Sequence, residues 1–121
     1  MSDEQLTWNQ IYQSVANALG VDFNPYYVAS DFLAKVAPPE WDFEGNLLGD
    51  KSQTVIFDCS KLKHAVPGFQ ATIRFDEGVR RSVDYLLSHP ELQTADPEFD
   101  YWCDKVIEAQ ETAKAMCLSE R

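Results

Sequence analysis

The chain has 121 residues, 45% hydrophobic and 12% aromatic, which suits one domain, residues 1–121, with a buried core and excludes disorder or a fibrous repeat as its main state. Twenty acidic against ten basic side chains give a formal net charge of -10, a field that repels phosphate backbones and anionic lipid and sets nucleic acid and membrane surfaces aside as partners. No apolar run approaches the roughly 20 residues of a spanning helix, and the opening Met1-Ser2-Asp3-Glu4 lacks the basic-then-apolar pattern of a secretion signal, so a cytoplasmic protein is expected.

Along the chain, Thr7-Trp8-Asn9-Gln10 has the form of a capping box, and Ile11, Val15 and Leu19 follow on one helical face until Gly20. Residues 22–28 are aromatic and β-branched, with Pro25 restricting them to an edge strand. Ser30 is placed to open a short helix that runs to Val36 and stops before Pro38-Pro39. Residues 40–53 have no period and read as the longest loop, mobile or functional. Thr54-Val55-Ile56-Phe57 is a continuous apolar run and the best strand in the chain. It leads into Asp58-Cys59-Ser60-Lys61, where a serine or aspartate can cap a short helix that ends by Pro67-Gly68.

Residues 69–73 read as extended, and a helix from about Phe75 to Ser88 carries Phe75, Val79, Val83 and Leu86 on one stripe. His89-Pro90 stops it. Asp96-Pro97 then starts a long terminal helix whose stripe is Phe99, Cys103, Val106, Gln110, Ala113 and Cys117. Two or three strands among these helices predict an α+β fold: a small two- or three-stranded sheet covered by helices, with a long C-terminal helix. Cys59, Cys103 and Cys117 are odd in number and dispersed, which predicts free thiols, and His64 and His89 stand too far apart to suggest a metal site.

Phe57-Asp58-Cys59-Ser60-Lys61-Leu62, then Pro67-Gly68-Phe69, then Phe75-Asp76-Glu77-Gly78-Val79 resembles the C-terminal segment of extended short-chain dehydrogenases/reductases, the NAD-dependent epimerase/dehydratase family. The helix ending in Leu19-Gly20 is similar to the one that opens that portion. The resemblance implies a substrate-binding C-terminal domain whose Rossmann domain is absent here and would be its partner, with NAD or NADP bound by the full-length enzyme and none by this chain. It also implies a small-molecule substrate, a sugar derivative being one candidate class. None of Gly20, Gly45, Gly49, Gly68 and Gly78 forms the family's glycine-rich turn. Tyr101 and Lys105 have the family's Tyr-x-x-x-Lys spacing but follow the substrate-domain motifs rather than preceding them, so no catalytic residue is assigned.

Candidate substrate-binding residues are Trp41 and Phe43, as an apolar wall, with Leu48, Asp50 and Lys51 on the same stretch. Family members that act on nucleotide sugars place an arginine just before a Gly-Asp. Here Asn46-Leu47-Leu48 precede Gly49-Asp50, and Lys51 lacks the guanidinium fork. Two functions stand: the substrate-binding part of an oxidoreductase or isomerase, inactive without its Rossmann half, or a free-standing acidic α+β protein-interaction module. A weak homodimer is expected from apolar surface left uncovered, through the Phe99-Cys103-Val106 face or through Trp41 and Phe43.

Overall fold

Thr7 Oγ1 accepts the Gln10 amide at 3.2 Å and Gln10 Oε1 accepts the Thr7 amide at 2.8 Å. The first helix, α1 (Trp8–Leu19), therefore starts on the expected reciprocal cap. Gly20 closes it at φ 70°, where its own amide reaches Asn17 O and that of Val21 reaches Ala16 O. That left-handed conformation costs little without a Cβ.

A computed structural model of the chain describes residues 2–119. It continues through α2 (Ser30–Val36), a 3-10 turn (Pro39–Trp41), a π-helix (Glu44–Asp50), α3 (Ser60–Ala65), α4 (Phe75–Ser88), a second 3-10 turn (Pro90–Leu92) and α5 (Pro97–Ser119). Every regular element among the described residues is helical, which overturns the expected α+β fold and its sheet. Residues 22–28, 54–57 and 69–73 carry the composition of strands but form no ladder. A strand needs an edge to pair with; Pro25 withdraws one donor, and a sheet of two short strands is marginal even where its partners meet. Residues 40–53 are corrected too, since the 3-10 turn and the π-helix occupy most of the expected loop.

The residues cluster into two compact units. One comprises Met1–Asn24 and Val55–Thr94. In it α1 packs on α4, with Ala16 and Val83 buried. Asp58 Oδ1 accepts both the amide and the hydroxyl of Ser60, at 2.9 and 2.6 Å, and so caps α3. Residues near the start of the chain hold the unit's other elements: Asp3 pairs with Lys63 at 2.8 Å, Glu4 Oε2 accepts the Phe75 amide at 2.8 Å, and the buried Cys59 Sγ points to Ser2 O. Asp76 and Glu77 stand in the first turn of α4, favoured there by the helix dipole. At its far end His89 stacks on Tyr85 with ring centroids 4.0 Å apart, and its Nδ1 lies 2.7 Å from Tyr85 O, where the helix runs out of amide donors.

The other unit comprises Pro25–Thr54 and Ala95–Arg121. Here the helix runs from Ser30 to Val36 as expected, but the cap position belongs to Ala29, and it is Asp31 Oδ1 that accepts the Phe32 amide. Asp96 Oδ1 accepts the Phe99 amide at 3.1 Å, which together with Pro97 fixes the start of α5. Val106 is buried on the predicted stripe and Cys103 and Gln110 partly so, whereas Phe99 and the stripe beyond Gln110 are exposed.

The π-helix packs against α2 and depends on one turn. Asp42 takes the left-handed conformation at φ 44°, accepts the Gly45 amide on Oδ1 at 3.1 Å and accepts Asn46 through its backbone carbonyl. A Cβ on Gly45 falls 2.6 Å from Asp42 Oδ2. The carboxylate can rotate away only by releasing the Gly45 amide, so Gly45→Ala is expected to cost about 1–2 kcal/mol, the worth of a lost cap plus residual strain. Urea unfolding followed by circular dichroism checks this; an unchanged midpoint would show that the turn does not hold the segment.

Candidate functional site

Trp41 ends the 3-10 turn and Phe43 immediately precedes the π-helix, and both turn onto α5. Trp41 meets Trp102 edge-on with ring centroids 5.2 Å apart and meets Phe99 at 5.6 Å; Phe43 lies 5.2 Å from Trp102. The Trp102 indole N–H donates to Val36 O at 3.2 Å, which ties the end of α2 to the same cluster. Edge and tilted geometries of this kind suit the ring quadrupoles and anchor the unit. Trp41, Phe43 and Trp102 are half-buried, so part of each ring still faces solvent. Phe99 and Trp102, which complete the cluster, were not among the predicted site residues, although their i, i+3 spacing on an aromatic helix was a readable signal.

The other three candidates lie on the π-helix or at its end. Leu48 and Asp50 are exposed. Lys51 Nζ stands 3.4 Å from Asn46 Oδ1 and 3.8 Å from Asp50 Oδ2. The one cation of the stretch is therefore partly neutralised by its neighbours, and the predicted set divides into an aromatic half and a polar half. Such a surface can stack a ring and accept hydrogen bonds from hydroxyls. It has no fork for a diphosphate.

The Tyr101 and Lys105 pair resolves differently from a proton-transfer dyad. Lys105 Nζ sits over the Tyr101 ring, 5.4 Å from its centroid, a cation–π contact. Tyr26 donates to Glu111 Oε1 at 2.8 Å, and that bond to a carboxylate, followed by burial, pushes the phenol above its ordinary range. Burial, followed by the nearby Asp100 and Asp104, also raises the Cys103 thiol and keeps it in the unreactive protonated form near neutral pH. Among the described residues no group of three His, Cys, Asp or Glu side chains is placed to hold a metal, and no helix is long and apolar enough to cross a membrane.

The fit of a dinucleotide can be tested on the helix starts, where a pyrophosphate would sit. Thr7 fills that of α1, Asp31 that of α2, Asp58 that of α3, Glu4 that of α4 and Asp96 that of α5. Four of these five acceptors are carboxylates, which repel a phosphate. Gly20 and Gly68 have positive φ and serve turns, and Gly78 lies inside α4. Each of these helix starts already has a side-chain acceptor where an anion would sit. An open hollow of about 420 Å³ at the start of α4 is lined by Glu4, Ile73, Arg74 and Val79, but Glu4 and Arg74 already face each other there at 3.8 Å.

The strongest feature shared with the sequence motif is the Asp58 turn. The Ser60 hydroxyl and then its amide hold the Asp58 carboxyl below the usual carboxylate range. A carboxyl depressed in the folded state adds stability above its unfolded pKa, and that stability disappears as pH falls through the lower folded value. Acid titration of stability is thus expected to show a loss below about pH 4 that Asp58→Asn removes; identical acid limbs in the two proteins would exclude Asp58 as the cap that matters.

Comparison with protein-family models, with curated proteins and with solved structures gives no match for this chain.

Proposed function

We propose that the chain is the substrate-binding part of an NAD-dependent epimerase/dehydratase-like oxidoreductase, with the dinucleotide and the proton-transfer groups supplied by a Rossmann half outside these residues. The observation that carries this reading is the ordered motif from Phe57 to Val79. It is supported by the closed Asp58–Ser60 turn at its start and by the acid-rich opening of α4 at its end. The filled helix starts agree with a part that leaves the cofactor to another body. On this reading the half-buried rings of Trp41, Phe43 and Trp102 give the substrate an apolar wall, with Asn46, Asp50 and Lys51 at its polar edge. A sugar derivative without a diphosphate suits that surface best.

Calorimetry of the chain with NAD and with NADP tests the division of labour. No binding is expected, and a Kd below about 100 μM, worth over 5 kcal/mol, would overturn it. The reading frame that encodes the chain provides the second check: a glycine-rich strand–turn–helix upstream in frame is expected, and a stop codon there counts against it. The alternative, a free-standing acidic interaction module, is favoured by one observation: the exposure of Val55, Ile56 and Phe57.

A further inference from the structure

Residues 2–4 bridge two helices of one unit. The Ser2 carbonyl accepts the Cys59 thiol at 3.7 Å, and Asp3 Oδ2 pairs with Lys63 of α3 at 2.8 Å. Glu4 Oε2 accepts the Phe75 amide at 2.8 Å at the start of α4, while its Oε1 faces Arg74 at 3.8 Å. Among the described residues no backbone–backbone hydrogen bond joins residues 2–6 to the rest of the unit, and Ser2-Asp3-Glu4-Gln5 contains no apolar side chain. Charge and side-chain hydrogen bonds hold this segment, whereas apolar burial holds α1 to α4.

We propose that residues 2–4 are a salt-released strap, which lifts from α3 and α4 as one piece and uncovers the Cys59 thiol and the hollow at the start of α4 together. Cys59 is only 4% exposed, and its thiol is turned to the strap's own carbonyl. Ser2 and Glu4 form one side of the hollow, against Ile73, Arg74 and Val79 on the other. Each cation that the strap engages also has an acid on the body of the unit: Asp58 acts on Lys63, and Asp76 Oδ1 lies 3.7 Å from Arg74 Nε. Lifting the strap therefore strands neither charge. The cap of α1 begins at Thr7 and closes on Gln10, so α1 keeps its start and its packing on α4 when residues 2–4 leave.

Exposed ion pairs are weak, and the screening length falls to about 3 Å in 1 M salt. The Asp3 and Lys63 side chains are 70 and 48% exposed, so salt reaches that pair directly, and Glu4 at 24% is the better shielded anchor. Opening is a local event, separate from unfolding of the α1–α4 pair. The inference concerns this unit alone and does not rest on the enzyme reading.

Two probes at opposite ends of the strap test it on the whole chain. One is alkylation of Cys59 by the uncharged reagent iodoacetamide, measured by peptide mass spectrometry against the exposed Cys117. The other is exchange of the Phe75 amide, a first-turn donor that no helix carbonyl can take and that Glu4 accepts. Asp3→Asn alters only the α3 side, yet it should speed both probes about 2- to 5-fold, the worth of an exposed ion pair, while Asp3→Glu should speed neither. Glu4→Ala should speed both about 10-fold, because a charged acceptor is lost. Sodium chloride raised to about 1 M should speed both in the parent chain, with the amides of Ala16 and Val83 keeping their protection throughout. If Asp3→Asn speeds Cys59 alkylation and leaves Phe75 exchange unchanged, the contacts are independent and the proposal is overturned. Loosening of Ala16 and Val83 in step with the probes also overturns it, since the whole unit would then be opening, as does a parent chain whose two probes do not respond to salt.

Discussion

Trp102→Ala is expected to cost about 3 kcal/mol of stability, the lower part of the range for removing a large aromatic from a core, because the ring is half-buried rather than enclosed. The loss has two sources. Trp41, Phe43 and Phe99 each have Trp102 as a ring neighbour within 5.9 Å, so truncation takes the common partner from three aromatics at once. It also leaves Val36 O without the indole N–H at the end of α2, a carbonyl with few other donors near it. Trp102→Phe keeps most of the ring contact and loses the N–H, so it should cost about 1 kcal/mol. Urea unfolding of both variants, read by near-ultraviolet circular dichroism for the aromatic cluster and far-ultraviolet for the helices, measures the two terms separately. Equal midpoints for Trp102→Ala and the parent chain would mean that the cluster is not what holds α2, the π-helix and α5 together. If it does hold them, the same variant should also remove the aromatic wall assigned to substrate.

The sequence was legible where a structural signal is local. Thr7 with Gln10, Gly20, Asp58 with Ser60 and Asp96 with Pro97 each mark a helix end through bonds that close within four residues. Both ends of α4 were readable because His89-Pro90 stops any helix and Phe75, Val79 and Val83 keep one period. The strands were not legible, because a strand is a statement about a partner. Val55-Ile56-Phe57 has the composition of a covered strand, but pairing requires a second edge at the right height, and composition does not say whether the chain supplies one.

The opposite error arose at residues 40–53. Gly45, Asn46 and Gly49 suggested a loop, yet Asp42 in a left-handed conformation supplies one side-chain and one backbone acceptor from which a π-helix can start. The spacing Asp42-x-x-Gly45 was the available clue. The site suffered in proportion: Trp41 and Phe43 were found from their residue type, whereas Phe99 and Trp102 come from a helix more than fifty residues away, and only folding brings them to the same place.

Val83→Asp is expected to have the largest effect of any single change in the unit that contains α1 and α4. Among the described residues of the unit Val83 is one of three that are buried, with Ala16 and Cys59 the others, and it lies on the helix that packs against α1. No basic side chain of α4 can answer a carboxylate there: Arg81 already pairs with Glu77, and Arg80 is exposed on the surface. An aspartate at 83 must therefore be desolvated without a partner or take up a proton, and it also removes two methyl groups from the packed face. The sum is about 4 kcal/mol at neutral pH, a large fraction of the stability of a domain this size. The proton-uptake route gives the variant a signature of its own. Its carboxyl should titrate above the usual aspartate range, so part of the lost stability returns as pH is lowered toward 5, the reverse of the acid loss that Asp58 contributes. Tyr85→Asp is the control, since Tyr85 is 56% exposed and two positions away on the same helix. It forfeits the His89 stack but buries no charge and should cost less than half as much. Thermal melts of the two variants at pH 5 and pH 7 decide the matter. If Val83→Asp melts no lower than Tyr85→Asp, or fails to recover at the lower pH, the α1–α4 contact does not exclude water as the buried Val83 implies.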